Sequence, residues 1–131
     1  MKREDLKSIL YVDDEPDIRE VVQMSLSLVE HLDVQTCESG ERALQVLPQL
    51  RPDLVLLDVM MPGMDGPSTL QKIRTMAGFE TIPVIFMTAK AMPQEVARFR
   101  ELGAAAVIAK PFDPIQLGNQ VLAVWEGLAH A

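Results

Sequence analysis

Five short apolar runs alternate along the chain with longer segments of helical periodicity. The first run, Ser8 to Val12, leads into Asp14 to Glu30, where Ile18, Val21, Val22, Leu26 and Val29 recur at the spacing of one helix face. Pro16 suits a first helical turn, where a missing N–H leaves no bond unmade. Val34 and Thr36 alternate with Asp33 and Gln35, the pattern of an edge strand with one wet face. Ser39 is placed to cap the next helix, whose Ala43, Leu44 and Leu47 face inward. Pro48 is expected to end or kink that helix about a turn early.

Leu54 to Leu57 is apolar at every position, which predicts a central parallel strand buried on both faces. Pro67 opens a helix carrying Leu70 and Ile73, and Pro83 to Met87 is a second continuous apolar run. Pro93 opens a helix through Val96 and Phe99 that Gly103 closes. Ala106 to Ala109 predicts the last strand. Asp113 and Pro114 begin the last helix, with Leu117, Val121, Leu122, Trp125 and Leu128 as its apolar stripe. Strands alternating with single helices imply an α/β fold, with right-handed crossovers and an open parallel sheet.

Composition narrows the picture. The 131 residues suit one domain, and a hydrophobic fraction of 48% supplies a core without disulfides. Cys37 is alone, so it reads as a small apolar residue in a reducing compartment. A net charge of −7 repels a phosphate backbone, which argues against direct nucleic-acid binding. Met1 to Lys7 leads into no signal-peptide pattern, and no apolar stretch is long enough for a membrane span. A cytoplasmic location is expected. His31 and His130 have no partners at ligand spacing and read as surface residues. One domain over residues 1–131 is expected, standing alone or cut from a larger protein.

The chemistry lies at the end of each buried run: Asp13 and Asp14 after the first, Asp58 after the third, Thr88 after the fourth, Lys110 after the fifth. In an open parallel sheet, ligands bind beyond the carboxyl ends of the strands, so these residues converge. Singly, each has an ordinary reading as a cap, a turn former or a solvated charge. Jointly they are harder to dismiss. Three crowded carboxylates repel one another unless a cation neutralises them, and oxygen donors on loops suit Mg²⁺. Lys110 and Thr88 add a positive charge and a hydroxyl donor for phosphoryl oxygens. The set is that of in-line phosphoryl transfer to a carboxylate.

Asp13-Asp14, the Leu54–Asp58 strand, Met61-Pro62-Gly63-Met64-Asp65-Gly66, Thr88-Ala89 and Lys110-Pro111-Phe112 together resemble the receiver domains of bacterial two-component response regulators. The resemblance runs over residues 7–128, in the family's order and spacing. It implies a doubly wound, flavodoxin-like three-layer sandwich with strand order 2-1-3-4-5. It implies that Asp58 accepts a phosphoryl group from a sensor histidine kinase or histidine phosphotransfer protein. Mg²⁺ is then held by Asp13, Asp14, Asp58 and the backbone carbonyl of Met60, while Thr88 and Lys110 contact the phosphoryl group. Pro111 is expected to follow a cis peptide. The only catalysis expected is of the domain's own phosphorylation and dephosphorylation. Effector binding or self-association is expected on the face of the fourth helix, fifth strand and fifth helix.

In the connecting loop, Gly63 and Gly66 are expected to take positive φ, Asp65 to serve as a turn or cap, and Met60, Met61 and Met64 to pack. One position departs from the family. Val107 stands three before Lys110, where many receivers carry an aromatic that turns inward as the threonine shifts. A smaller, stiff side chain there predicts a modest switch. Met60 and Lys90 occupy the positions that flank the approach of water in the family. Neither a thioether nor an ammonium orients a water well, so slow dephosphorylation is expected. Two alternatives carry less weight. A non-phosphorylated pseudo-receiver usually lacks an acceptor or metal ligand. A haloacid-dehalogenase-like phosphatase or transferase needs a general acid where Met60 stands.

Overall fold

The computed structural model describes residues 1–128; His130 and the end of the expected domain lie outside the described residues. Strands β1 (Ser8–Val12), β2 (Asp33–Cys37), β3 (Leu54–Asp58), β4 (Val84–Thr88) and β5 (Ala106–Ala109) alternate with helices α1 (Pro16–Leu26), α2 (Gly40–Leu50), α3 (Gly66–Arg74), α4 (Pro93–Glu101) and α5 (Leu117–Glu126). All pairings are parallel and the order is β2-β1-β3-β4-β5, so the expected doubly wound topology is the observed one.

Side chains alternate across each strand and divide the core in two. Ile9, Tyr11, Leu54, Leu56, Ile85 and Met87 meet Val22 and Leu26 of α1 and Val121 and Trp125 of α5. Leu10, Val12, Val55, Leu57, Val84 and Phe86 meet Ala43 and Leu47 of α2, Leu70 and Ile73 of α3, and Phe99 of α4. Strand β3 is buried at all five positions, as a central strand covered on both faces must be. The chain reverses its winding between β1 and β3, and the crevice above that switch point is the natural ligand position. Among the described residues, no helix is long and apolar enough to cross a membrane.

Three expected boundaries move. Helix α1 stops at Leu26, and Val29, although in phase with the stripe, packs on the core from the following turn. Helix α2 does not end at Pro48 but runs to Leu50, where Arg51 turns into the left-handed region at φ 45°. A proline there removes only one bond near the helix end, and burial of Ala43 and Leu47 outweighs it. Helix α5 begins at Leu117, not Asp113. Asp113 caps a preceding turn, its carboxylate accepting from the Ile115 N–H at 2.9 Å and its carbonyl from the Leu117 N–H at 3.0 Å. The caps expected at Ser39 and Asp65 are present, accepting from the N–H groups of Arg42 at 3.0 Å and Ser68 at 2.8 Å. His31 is exposed, as expected.

Candidate functional site

The residues at the strand ends converge at the carboxyl edge of the sheet. Asp13 is fully buried, Asp58 is 5% exposed and Asp14 is half-buried. One carboxylate oxygen from each of the three lies within 4.8 Å of the others. From the far side, the Lys110 ammonium donates to Asp58 Oδ1 at 2.8 Å and to Asp13 Oδ2 at 3.3 Å. The expected cis peptide joins Lys110 to Pro111. Parallel pairing sets these positions: the Lys110 N–H bonds to the Thr88 carbonyl at 2.9 Å and the Val59 N–H to the Met87 carbonyl at 3.1 Å. Thr88 is buried, and its hydroxyl oxygen accepts from the Lys90 N–H at 3.0 Å, which leaves its own hydrogen for donation.

One ammonium faces three carboxylates, and the crowding appears in the ionisation of Asp58 and Lys110. Burial pushes the Asp58 carboxyl above its ordinary 3.8, against the pull of the Lys110 hydrogen bond; the Asp13 and Asp14 charges add to the rise. Burial alone would depress the Lys110 ammonium, but the bond to Asp58 and the charges of Asp13 and Asp58 outweigh it and raise it. The donor set is all oxygen, carries a net negative charge and reaches solvent at the half-buried Asp14. It fits a hard divalent cation such as Mg²⁺.

The loop after Asp58 is clasped at its base by the Gly66 N–H, which bonds to the Val59 carbonyl at 2.9 Å. Gly63 takes φ 75°, as expected, but Gly66 does not take positive φ. Gly66 is needed for space: a Cβ there would stand 2.6 Å from the Asp58 carbonyl oxygen and 2.8 Å from the Val59 Cα. Met61 is buried and Met64 half-buried, as packing residues are, whereas Met60 is 69% exposed. Lys90 is exposed beside Thr88. Val107 is half-buried against the α4 side of the core and lies in register with Phe86. The Phe86 ring meets Phe99 edge-on at 5.1 Å.

Tyr11 is the site residue that sequence reasoning missed. Its hydroxyl donates to Asp13 Oδ2 at 2.5 Å from a fully buried position. Burial first, then the neighbouring Asp13, push its ionisation far above the ordinary tyrosine range. The signal was available, because Tyr11 lies two positions before Asp13 and a strand sends such residues to one face.

The model of the response regulator receiver domain family matches residues 9–122. The chain belongs to this family. Among curated relatives of this receiver domain, the response regulator Rre1 of Synechocystis is 40% identical over 110 residues, covering 84% of the chain and 48% of the relative. The DNA-binding response regulator MtrA of Mycolicibacterium smegmatis is 38% identical over 115 residues, covering 88% and 49%. The receiver domain thus spans about half the length of these relatives. Among solved structures, the chemotaxis protein CheY4 of Vibrio cholerae superposes with a TM-score of 0.83 at 28% identity, covering 91% of this chain and 98% of that one. A putative response regulator from Chloroflexus aurantiacus gives 0.82 at 30% identity, covering 92% and 98%. Membership places the chain in phosphorylation-dependent signalling.

Proposed function

We infer that Asp58 is the phosphoacceptor of this switch and that the transfer depends on Mg²⁺. The observation that carries this reading is the buried cluster of Asp13, Asp14 and Asp58 with Lys110 bonded across it. A sensor histidine kinase or histidine phosphotransfer protein would present a phosphoimidazole in line with an Asp58 oxygen. The O–P bond forms as the P–N bond breaks, the imidazole leaves with the electron pair and takes up a proton, and an acyl phosphate remains. Lys110 exchanges a carboxylate partner for a phosphoryl oxygen, and the Thr88 hydroxyl donates to another. Asp13, Asp14, Asp58 and the Met60 carbonyl would hold Mg²⁺, which when bound neutralises charge building on the phosphoryl oxygens.

The domain takes in residues 1–131, with its core over about 7–128, and works in the cytoplasm. The phosphorylated form changes a protein–protein contact on the face of α4, β5 and α5. With a net charge of −7, binding to nucleic acid by this chain itself is disfavoured. Its catalysis extends to its own phosphorylation and dephosphorylation. The test is incubation with acetyl phosphate and Mg²⁺ followed by intact-mass measurement. One phosphoryl group is expected on the parent, none without Mg²⁺ and none on Asp58→Ala. Undiminished labelling of the alanine variant overturns the assignment.

A further inference from the structure

The geometry points to Tyr11 as a positioning residue that sets the Mg²⁺ affinity of the site by holding the Asp13 carboxylate. This inference rests on the Mg²⁺-dependent reading above and adds a residue to it. Asp13 has the fullest set of protein donors in the acidic cluster. Its Oδ1 accepts from the Glu15 N–H at 3.0 Å, and its Oδ2 accepts from both Tyr11 Oη at 2.5 Å and Lys110 Nζ at 3.3 Å. The two donors on Oδ2 differ in kind. Lys110 is a cation that competes with a metal ion for the same charge. Tyr11 is neutral and leaves the carboxylate charge intact.

Tyr11 is also rigid. Its backbone is paired with Thr36 on one side and Leu56 on the other, and its ring is fully buried within the core between the sheet and helices α1 and α5. The hydroxyl therefore reaches Asp13 from a fixed point. Without it, Oδ2 is free to close on the Lys110 ammonium, and an arriving cation must break a tighter ion pair. Hydrogen bonds that orient a metal-binding carboxylate commonly change affinity by about 10–100-fold when removed.

Tyr11→Phe removes the hydroxyl and keeps the ring. Isothermal titration of the parent and variant with MgCl₂ alone gives the binding constant directly. Phosphorylation by acetyl phosphate across a Mg²⁺ series gives the half-saturating concentration and the maximal rate separately. The expected result is Mg²⁺ binding weakened about 10-fold, with the maximal rate recovered at saturating Mg²⁺. A merely structural tyrosine would instead lower the melting temperature in EDTA and leave the Mg²⁺ constant in place. A change under about threefold overturns the inference, because orienting contacts act above that level. A parent with no measurable Mg²⁺ binding overturns the underlying reading as well, and the two failures are distinguishable. Should Tyr11→Phe be destabilised, the titrations are run at a temperature where melts show both proteins folded, and the same comparison is made there. A double-mutant cycle with Asp13→Asn completes the test: Tyr11→Phe should have no further effect on Mg²⁺ affinity in that background, and an equal effect in both backgrounds overturns the role.

Discussion

Replacing Asp58 with asparagine should stabilise the metal-free protein at neutral pH, although it removes a hydrogen-bonded ion pair. The amide keeps the size of the carboxylate and discards its charge. Each of the two neighbouring carboxylates, within 4.8 Å, repels a charged Asp58 by at least about 3.5 kcal/mol at an effective dielectric of about 20. The Lys110 ammonium at 2.8 Å attracts it by about 6 kcal/mol on the same scale. The charge terms nearly cancel, so the cost of burying the carboxylate decides the sign. The raised Asp58 ionisation agrees, with burial as its largest cause. Lys110 still has Asp13, 3.3 Å away in the parent, as a charged partner. A net gain of about 1 kcal/mol is expected, which for a domain of this size raises the melting temperature by about 2–6 °C.

The pH dependence gives a sharper test. A carboxyl whose folded-state pKa is raised makes the folded protein bind more protons than the unfolded one, so stability falls as pH rises. The parent should match Asp58→Asn below the ordinary value of 3.8, fall behind as pH climbs through the raised value, and then run parallel to it. Thermal melts in EDTA across an acid-to-neutral series measure both curves. Added Mg²⁺ should raise the parent's melting temperature more than the variant's. An asparagine variant less stable than the parent at neutral pH in EDTA, or a gap that does not change with pH, would refute the reasoning.

Gly66→Ala should destabilise the fold by about 1–3 kcal/mol, because the added methyl meets backbone atoms that cannot move aside. A urea midpoint equal to the parent's would show that the loop has slack. On the proposed acceptor chemistry, Met60→Asn would place an amide beside the path of water to an Asp58 acyl phosphate, and loss of phosphate should accelerate by up to about 10²-fold. Decay of phosphorylated parent and variant after donor removal checks this, and equal lifetimes contradict it. Beryllofluoride binding should alter amide exchange at the start of α4 and along β5 and α5. Changes confined to α1 would count against that face as the output surface.

Most of the fold was legible because its signals are local and repeated. The apolar runs Leu54–Leu57 and Val84–Met87 marked buried strands, and the prolines at 16, 67 and 93 marked helix starts. The misplaced boundaries share a cause: periodicity reports which residues face the core, not whether the backbone is helical there. Val29 faces the core from a turn, and Pro48 sits where the loss of one bond is tolerated. The loop sequence marks Gly66 as a conformational glycine, but its need is the nearness of the Asp58 carbonyl, a contact of tertiary structure. The acidic cluster was readable because each member ends a strand. Tyr11 escaped because an aromatic within a buried strand looks like packing until the direction of its hydroxyl is known.

Val107 is where the family pattern and this chain part, and the surrounding packing bears on how the proposed switch would travel. Across the ladder from Val107 stands Phe86, whose ring faces α4 and meets Phe99 of that helix edge-on. The aromatic bulk on this side of the sheet therefore comes from β4 and α4 instead of β5. Phe86 lies two residues before Thr88, so both point to one face of the strand. Thr88 is in turn tied to the segment entering α4, because its hydroxyl oxygen accepts from the Lys90 N–H. If the proposed phosphorylation draws the Thr88 oxygen itself towards the phosphoryl group, the bond from the Lys90 N–H would lengthen or re-aim, and the change would fall on the residues leading to Pro93 at the start of α4. Coupling by this route needs no aromatic at position 107. It predicts a response strongest at the start of α4 and weaker along β5, where Val107 has little volume to move.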